Sequence, residues 1–286
     1  MGLLLTLWLS VVPKNTILVP GATAAASDSS TPLPEQGRVV DGRYSNAYFG
    51  LSYPIPAGWS EQPAGPPPSD TGSYVLTQFA VPRANVLLSA QDLFFSALPA
   101  VGAQELVATL RRNLAPQYEI ERGPDELKIA GRTFYRLGYG APRAGFHWRV
   151  LSTDARCHAL IFTITGTDAA ALEAAERSLS GLSLATTGPA CVNGYAQGDN
   201  IVERTDPLMT TRRYNTIPVR VIVDADGRVK HVHLLSAFPE QSEAIINALR
   251  TWRFKPYLHD GKAVETGIVF GMPRTVSAGG GVASPR

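Results

Sequence analysis

Hydrophobic and polar positions change their period twice between residues 217 and 272. Val219, Val221 and Val223 alternate with Arg220 and Ile222, which predicts a strand with one aliphatic face. Asp224-Ala225-Asp226-Gly227 then supplies a reversal, with Gly227 free to take positive φ. Val229, His231 and His233 alternate with Lys230, Val232 and Leu234 on a returning strand. From residue 239 to 252 the period lengthens: Ala244, Ile245, Ala248, Leu249 and Trp252 recur at helical spacing. Pro256 stops any continuation, because it lacks an N–H and forces an extended residue before it. Asp260-Gly261 makes a last turn, and Val264, Ile268 and Phe270 mark a final strand. The order is ββαβ.

The first half alternates differently. Residues 48–56 alternate and break at Pro56-Ala57-Gly58-Trp59, and Gly65-Pro66-Pro67-Pro68 is a loop. Strand-like runs follow at residues 73–81, 86–93, 132–137, 146–152 and 159–165. Two helical runs separate them. One puts Leu106, Val107, Leu110 and Leu114 on a single face; the other does so with Ala171, Leu172, Ala175 and Leu179, with Asp168 as its N-cap. Strands with interspersed helices predict an α+β domain over residues 44–186. Residues 187–202, with Thr187-Gly188-Pro189-Ala190 and Asn193-Gly194, read as a linker to a second domain over 203–274. Residues 27–43 are polar and read as a flexible lead, and the Gly-rich residues 275–286 as a disordered tail.

Two domains fit a chain of 286 residues. The net charge of +2 and the lack of a basic stripe exclude a dedicated nucleic-acid binder. Residues 27–202 carry −3 and residues 203–274 carry +3, a difference small enough to be ordinary solvated surface. Residues 3–12 are apolar and Gly21-Ala22-Thr23-Ala24-Ala25-Ala26 offers small residues to a signal peptidase, so residues 1–26 read as an export segment cut after Ala24 or Ala26. No Lys or Arg precedes the apolar run, and it is too short for a stable membrane span. Export implies a periplasmic or secreted protein. In that compartment the only two cysteines, Cys157 and Cys191, suggest one disulfide; two separate buried thiols are the alternative.

The run Ala248-Leu249-Arg250-Thr251-Trp252-Arg253-Phe254-Lys255-Pro256, followed by Gly261-Lys262-Ala263-Val264, resembles the C-terminal domain of TonB, the periplasmic part of the machine that couples the inner membrane to outer-membrane receptors. Residues 208–214 lack the Tyr-Pro and Gly that often precede the first strand of that family. The resemblance implies a non-catalytic interaction module whose last strand accepts an extended partner by strand addition, here through Val264, Glu265, Thr266, Gly267, Ile268, Val269 and Phe270. The partner implied is an envelope protein or an outer-membrane receptor segment, or a second copy in a homodimer. A folded domain stands where a transducer would carry its Pro-rich spacer, so transmission of force from the inner membrane is not expected. The opening Asn46-Ala47-Tyr48-Phe49-Gly50-Leu51-Ser52-Tyr53-Pro54 with Gly58-Trp59 resembles the entry of PsbP-like α/β/α sandwiches, which mostly bind and assemble.

No set of residues specifies a catalyst. Cys157 and His158, as neighbours on a strand, point to opposite faces and make a poor dyad. His231 and His233 share a strand face but supply only two ligands of a metal site, so a solvated strand face is expected and no metal or cofactor. Gly138-Tyr139-Gly140 lacks the continuation of a phosphate loop, and Ser178-Leu179-Ser180-Gly181 reads as a helix end rather than a nucleophile elbow. The alternative function is small-molecule binding in an aromatic cleft of Tyr48, Trp59, Tyr135 and Trp148, with the C-terminal unit as a tether.

Overall fold

The computed structural model describes residues 23–28, 32–63, 72–95, 102–185, 187–192, 194–208, 216–264 and 266–272, the last stretch by its backbone. Residues 1–22 of the export segment expected over 1–26, the loop at residues 65–68, Glu265 and the tail expected over 275–286 lie outside the described residues. In chain order the strands are β1 (Ala24–Ser27), β2 (Gly37–Val40), β3 (Arg43–Asn46), β4 (Leu51–Pro54), β5 (Ser60–Glu61), β6 (Ser73–Val81), β7 (Ala84–Asp92), β8 (Glu119–Ile129), β9 (Arg132–Ala141), β10 (Phe146–Ala155) and β11 (His158–Gly166). They continue as β12 (Ala190–Cys191), β13 (Ile201–Glu203), β14 (Ile217–Val223), β15 (Val229–Ala237), β16 (Arg253–Phe254), β17 (Leu258–His259), β18 (Lys262–Ala263) and β19 (Thr266–Met272). The helices are α1 (Ala103–Arg112), α2 (Ala169–Ser178) and α3 (Pro239–Thr251).

The expected α+β class holds. The N-terminal half is an antiparallel sheet in the order β5-β6-β7-β11-β10-β9-β8. Alternation along β9 and β10 splits its side chains between two cores. Phe134 and Leu151 face a layer built on α2 and the β2-β3-β4 meander, with Tyr44, Tyr53, Phe79, Phe162, Leu172 and Leu179. Leu137, Tyr139 and Val150 face α1 through Val107. α2 starts where expected: the Asp168 carboxylate accepts from the Ala170 and Ala171 amides at 3.0 and 3.1 Å. β8 escapes the periodicity because it is an edge strand whose residues Glu119 to Arg122 are all exposed.

The C-terminal half is a second sheet, β1-β15-β14-β19-β12, with α3 on one face. Val219, Val221, Val232 and Leu234 meet Ile245, Leu249 and Trp252 there. This contact explains the Ala248-to-Pro256 block. Trp252 is buried and donates its indole N–H to the Thr205 carbonyl at 2.8 Å, and Phe254 closes the same core. The Asp224 carboxylate binds the Asp226 and Arg228 amides, and Gly227 turns at φ 82°. A Cβ at Gly227 would lie 1.9 Å from the Phe254 carbonyl oxygen, so this turn excludes any larger residue.

Three expectations about the chain's organisation meet a different arrangement. Residues 27–43, read as a flexible lead, contain part of β1, the buried Leu33 and β2. Residues 187–202, read as a linker, contribute β12, the start of β13, and Tyr195, Ala196 and Ile201 against the C-terminal core. The second sheet therefore draws two of its strands, β1 and β12, from before residue 203. Each of these strands is only two to four residues long, too short to show a period of its own.

Cys157 and Cys191 form a disulfide with Cα atoms 5.4 Å apart, tying the β10–β11 turn to β12. The bond closes a loop of 34 residues. Replacing both cysteines by alanine should lower stability by roughly 3–4 kcal/mol through the regained freedom of the unfolded loop, read as a lower urea midpoint. Unchanged midpoints would count against that role.

Candidate functional site

The expected docking strand occupies a border of the second sheet. β19 pairs along its full length with β14, from Val223↔Thr266 to Ile217↔Met272. On its other side β12 covers only Thr266 and Gly267, in parallel. Among the described residues, no strand pairs beyond them with the outer side of residues 268–272. Of the seven predicted residues, Thr266, Gly267, Ile268, Val269 and Phe270 lie in β19; Val264 precedes it and donates its N–H to the Tyr257 carbonyl at 3.1 Å. The opposite border of the sheet, along β15, carries β1.

The face of β14 and β15 turned away from α3, where His231 and His233 are expected to be solvated, is instead covered by the N-terminal half. His231 and His233 are 1% and 0% exposed, and the cross-strand neighbour of His233, Arg220, is fully buried. Alternation predicts one buried face; the docking of the N-terminal half buries the other. Arg220 pairs through Nη2 with the Asp92 carboxylate at the end of β7. Its guanidinium lies 5.8 Å from the Phe94 ring centre. His233 Nε2 sits 3.5 Å from Glu35, and His158 Nε2 sits 3.7 Å from Asp92. Tyr74 lies between the imidazoles, its ring 5.6 Å from His158 and 6.5 Å from His233. Tyr48 and Phe49 close the other side of His158 edge-on.

This joint is sealed and electrostatically tense. Tyr48 Oη, Tyr74 Oη, Glu35 Oε2, Arg220 Nε and Nη1, His158 Nε2 and both His233 nitrogens have no hydrogen-bond partner in the structure. Burial holds the His158 imidazole at a pKa of about 3. Its Nδ1–H donates to the Arg156 carbonyl at 2.8 Å, which fixes the neutral tautomer. Burial would raise Glu35, but the charge of His233 beside it is the largest of the contributions that together hold the carboxyl below its ordinary value. Burial pushes the Tyr74 phenol well up. Among the described residues, no three His, Cys, Asp or Glu side chains are placed to hold a metal ion. The joint was invisible as a motif.

The four aromatic residues proposed for a cleft do not meet in one place. Tyr48 is buried in the α2-side core with Trp59 at its fringe; Tyr135 and Trp148 pack on the α1 side of the sheet. Trp148 stacks on Tyr139 with ring centres 5.2 Å apart. A shallow groove of about 800 Å³ lies elsewhere, around Glu176, which binds Arg149 at 2.7 Å and Arg136 at 3.0 Å. Arg136 also pairs with Asp125, which lowers the Asp125 carboxyl through that hydrogen bond. These charges are matched among themselves. Among the described residues, no helix is long and apolar enough to cross a membrane.

Residues 209–271 match the family model of the Gram-negative bacterial TonB protein C-terminal. The matched segment spans β14, β15, α3 and all but the last residue of β19, so the C-terminal part of the chain is TonB C-terminal-like. The solution structure of cyanobacterial PsbP (CyanoP) from Synechocystis is similar at 15% identity and a TM-score of 0.33, over 54% of this chain and 99% of that one. A protein of unknown function from Pseudomonas aeruginosa, described as a putative regulator, is similar at 17% identity and a TM-score of 0.31, over 53% of this chain and 98% of its own. Among curated proteins, none matches the chain.

Proposed function

We propose that this is an extracytoplasmic, non-catalytic interaction protein that binds an extended polypeptide along the outer side of β19. The observation that carries this reading is the sheet order: β19 lies inside only the two-residue strand β12, in a segment that matches the TonB C-terminal family. An edge strand presents a row of backbone donors and acceptors that a partner strand can complete. Backbone pairing would supply affinity, and alternate side chains would supply selectivity. The partner is an envelope protein segment or a second copy of the chain.

Adjacent strand residues turn their amides to opposite sides, so Ile268→Pro and Val269→Pro remove one outward and one inward donor. The inward change should destabilise the domain by breaking the ladder to β14. The outward change should leave thermal unfolding within about 1 kcal/mol of the parent, in line with proline at an edge. A photocrosslinker at position 270, used in the native envelope, should then capture an adduct in the parent and none in the outward variant. An adduct of twice the chain mass assigns the edge to a second copy. Undiminished capture with both prolines removes β19 as the docking strand.

A further inference from the structure

The β15 border of the C-terminal sheet is also a strand-binding site, and we infer that residues 23–28 are its built-in occupant, recognised as an extended run of small residues ended by a carboxylate. β1 lies antiparallel to β15, with Ala24 opposite Ala237, Ala26 opposite Leu234 and Ser27 opposite His233. Ala26 packs against the α3-side core, where a short side chain fits under the helix. Asp28 then ends the run. Its N–H donates to the Val232 carbonyl at 3.2 Å, and its carboxylate accepts from the Val232 N–H at 3.1 Å and from His231 Nδ1 at 2.9 Å. The Asp28 and His231 side chains are each 1% exposed. At the other end the Ser236 hydroxyl donates to that of Thr23 at 2.7 Å.

This arrangement has the parts of a peptide site: a backbone ladder, a slot for small residues, and a buried imidazole and amide aimed at one carboxylate. It is separate from the proposed use of β19 and does not depend on it. It also gives the small residues expected at a signal-peptidase site a second role, as a strap that closes the border facing away from β19.

Amide exchange in the full chain tests it. In Asp28→Ala the Val232 amide should exchange at least about tenfold faster than in the parent, since a charge-assisted bond is lost. A synthetic peptide spanning residues 22–31, added in excess to Asp28→Ala, should slow that amide again, and the same peptide with alanine for Asp28 should not. If Asp28→Ala does not fold, Asp28→Asn takes its place, with the same comparison of peptides. Equal exchange of Val232 in parent and variant, or equal protection by both peptides, overturns the inference. So does an exported chain whose intact mass shows that it begins after Ala26; a chain that begins at or before Ala25 keeps the strap.

Discussion

Replacing Arg220 by methionine is expected to cost about 3–5 kcal/mol, because it leaves the Asp92 carboxylate buried without its counter-charge. Both side chains are fully buried, and they come from different halves of the molecule: Arg220 from β14, Asp92 from the end of β7. Among the described residues the Asp92 carboxylate keeps one other hydrogen bond, accepting the Phe94 amide at 2.9 Å, which is too little to stabilise a buried anion. Arg220 in turn leaves Nε and Nη1 without acceptors, so the pair is not an efficient source of stability. Removing both charges, as Asp92→Asn with Arg220→Met, should therefore recover most of the loss. The consequence sought in urea unfolding is a split of one transition into two as the halves lose their joint. A single-variant cost below about 1 kcal/mol would show that the contact does not hold them together.

The second large effect is acid lability. His158 is buried and neutral, with a pKa near 3 against an ordinary 6.5. The folded value lies below the unfolded one, so the unfolded chain takes up a proton first as pH falls. The stability tied to His158 is therefore whole above pH 6.5 and declines as pH falls from 6.5 toward about 3. A shift of that size corresponds to roughly 3–5 kcal/mol at its limit. Glu35, held low by His233, adds to the decline below its ordinary 4.5. Facing His158 are Asp92, His233, Arg156, Glu35, Tyr48 and Tyr74; the hydrogen bond to the Arg156 carbonyl and the Glu35 charge offset part of the cost of protonation. Urea midpoints measured from pH 7.5 to 4.5 should fall steeply in the parent and shallowly in His158→Phe, whose ring suits the surrounding aromatic cluster. Parallel slopes would remove His158 as the cause.

Both effects sit at a joint that no local pattern announces, although the elements that build it were legible. The alternation of Val219, Val221 and Val223, the helical recurrence ending at Trp252 and the turn at Gly227 each follow from the burial of one face of one segment, and all three stand in the structure. The two helical runs of the first half stand for the same reason. β8 does not show in the pattern, because its first four residues are all exposed and the alternation that follows, over residues 123–129, buries only Ile129 fully.

What the amino-acid order determined, then, is every element with one apolar face and a turn residue to end it, together with the TonB-like block whose Leu249, Trp252 and Phe254 must share a core. What only the tertiary structure decided is which second faces and borders are covered. Arg220, His231 and His233 are polar by composition and buried by docking, and Ala24 to Ser27 are a strand only because β15 lies beside them. Periodicity reports contacts within a few residues, whereas these contacts join positions more than a hundred residues apart, and a segment's own side chains carry no record of what will be packed against them.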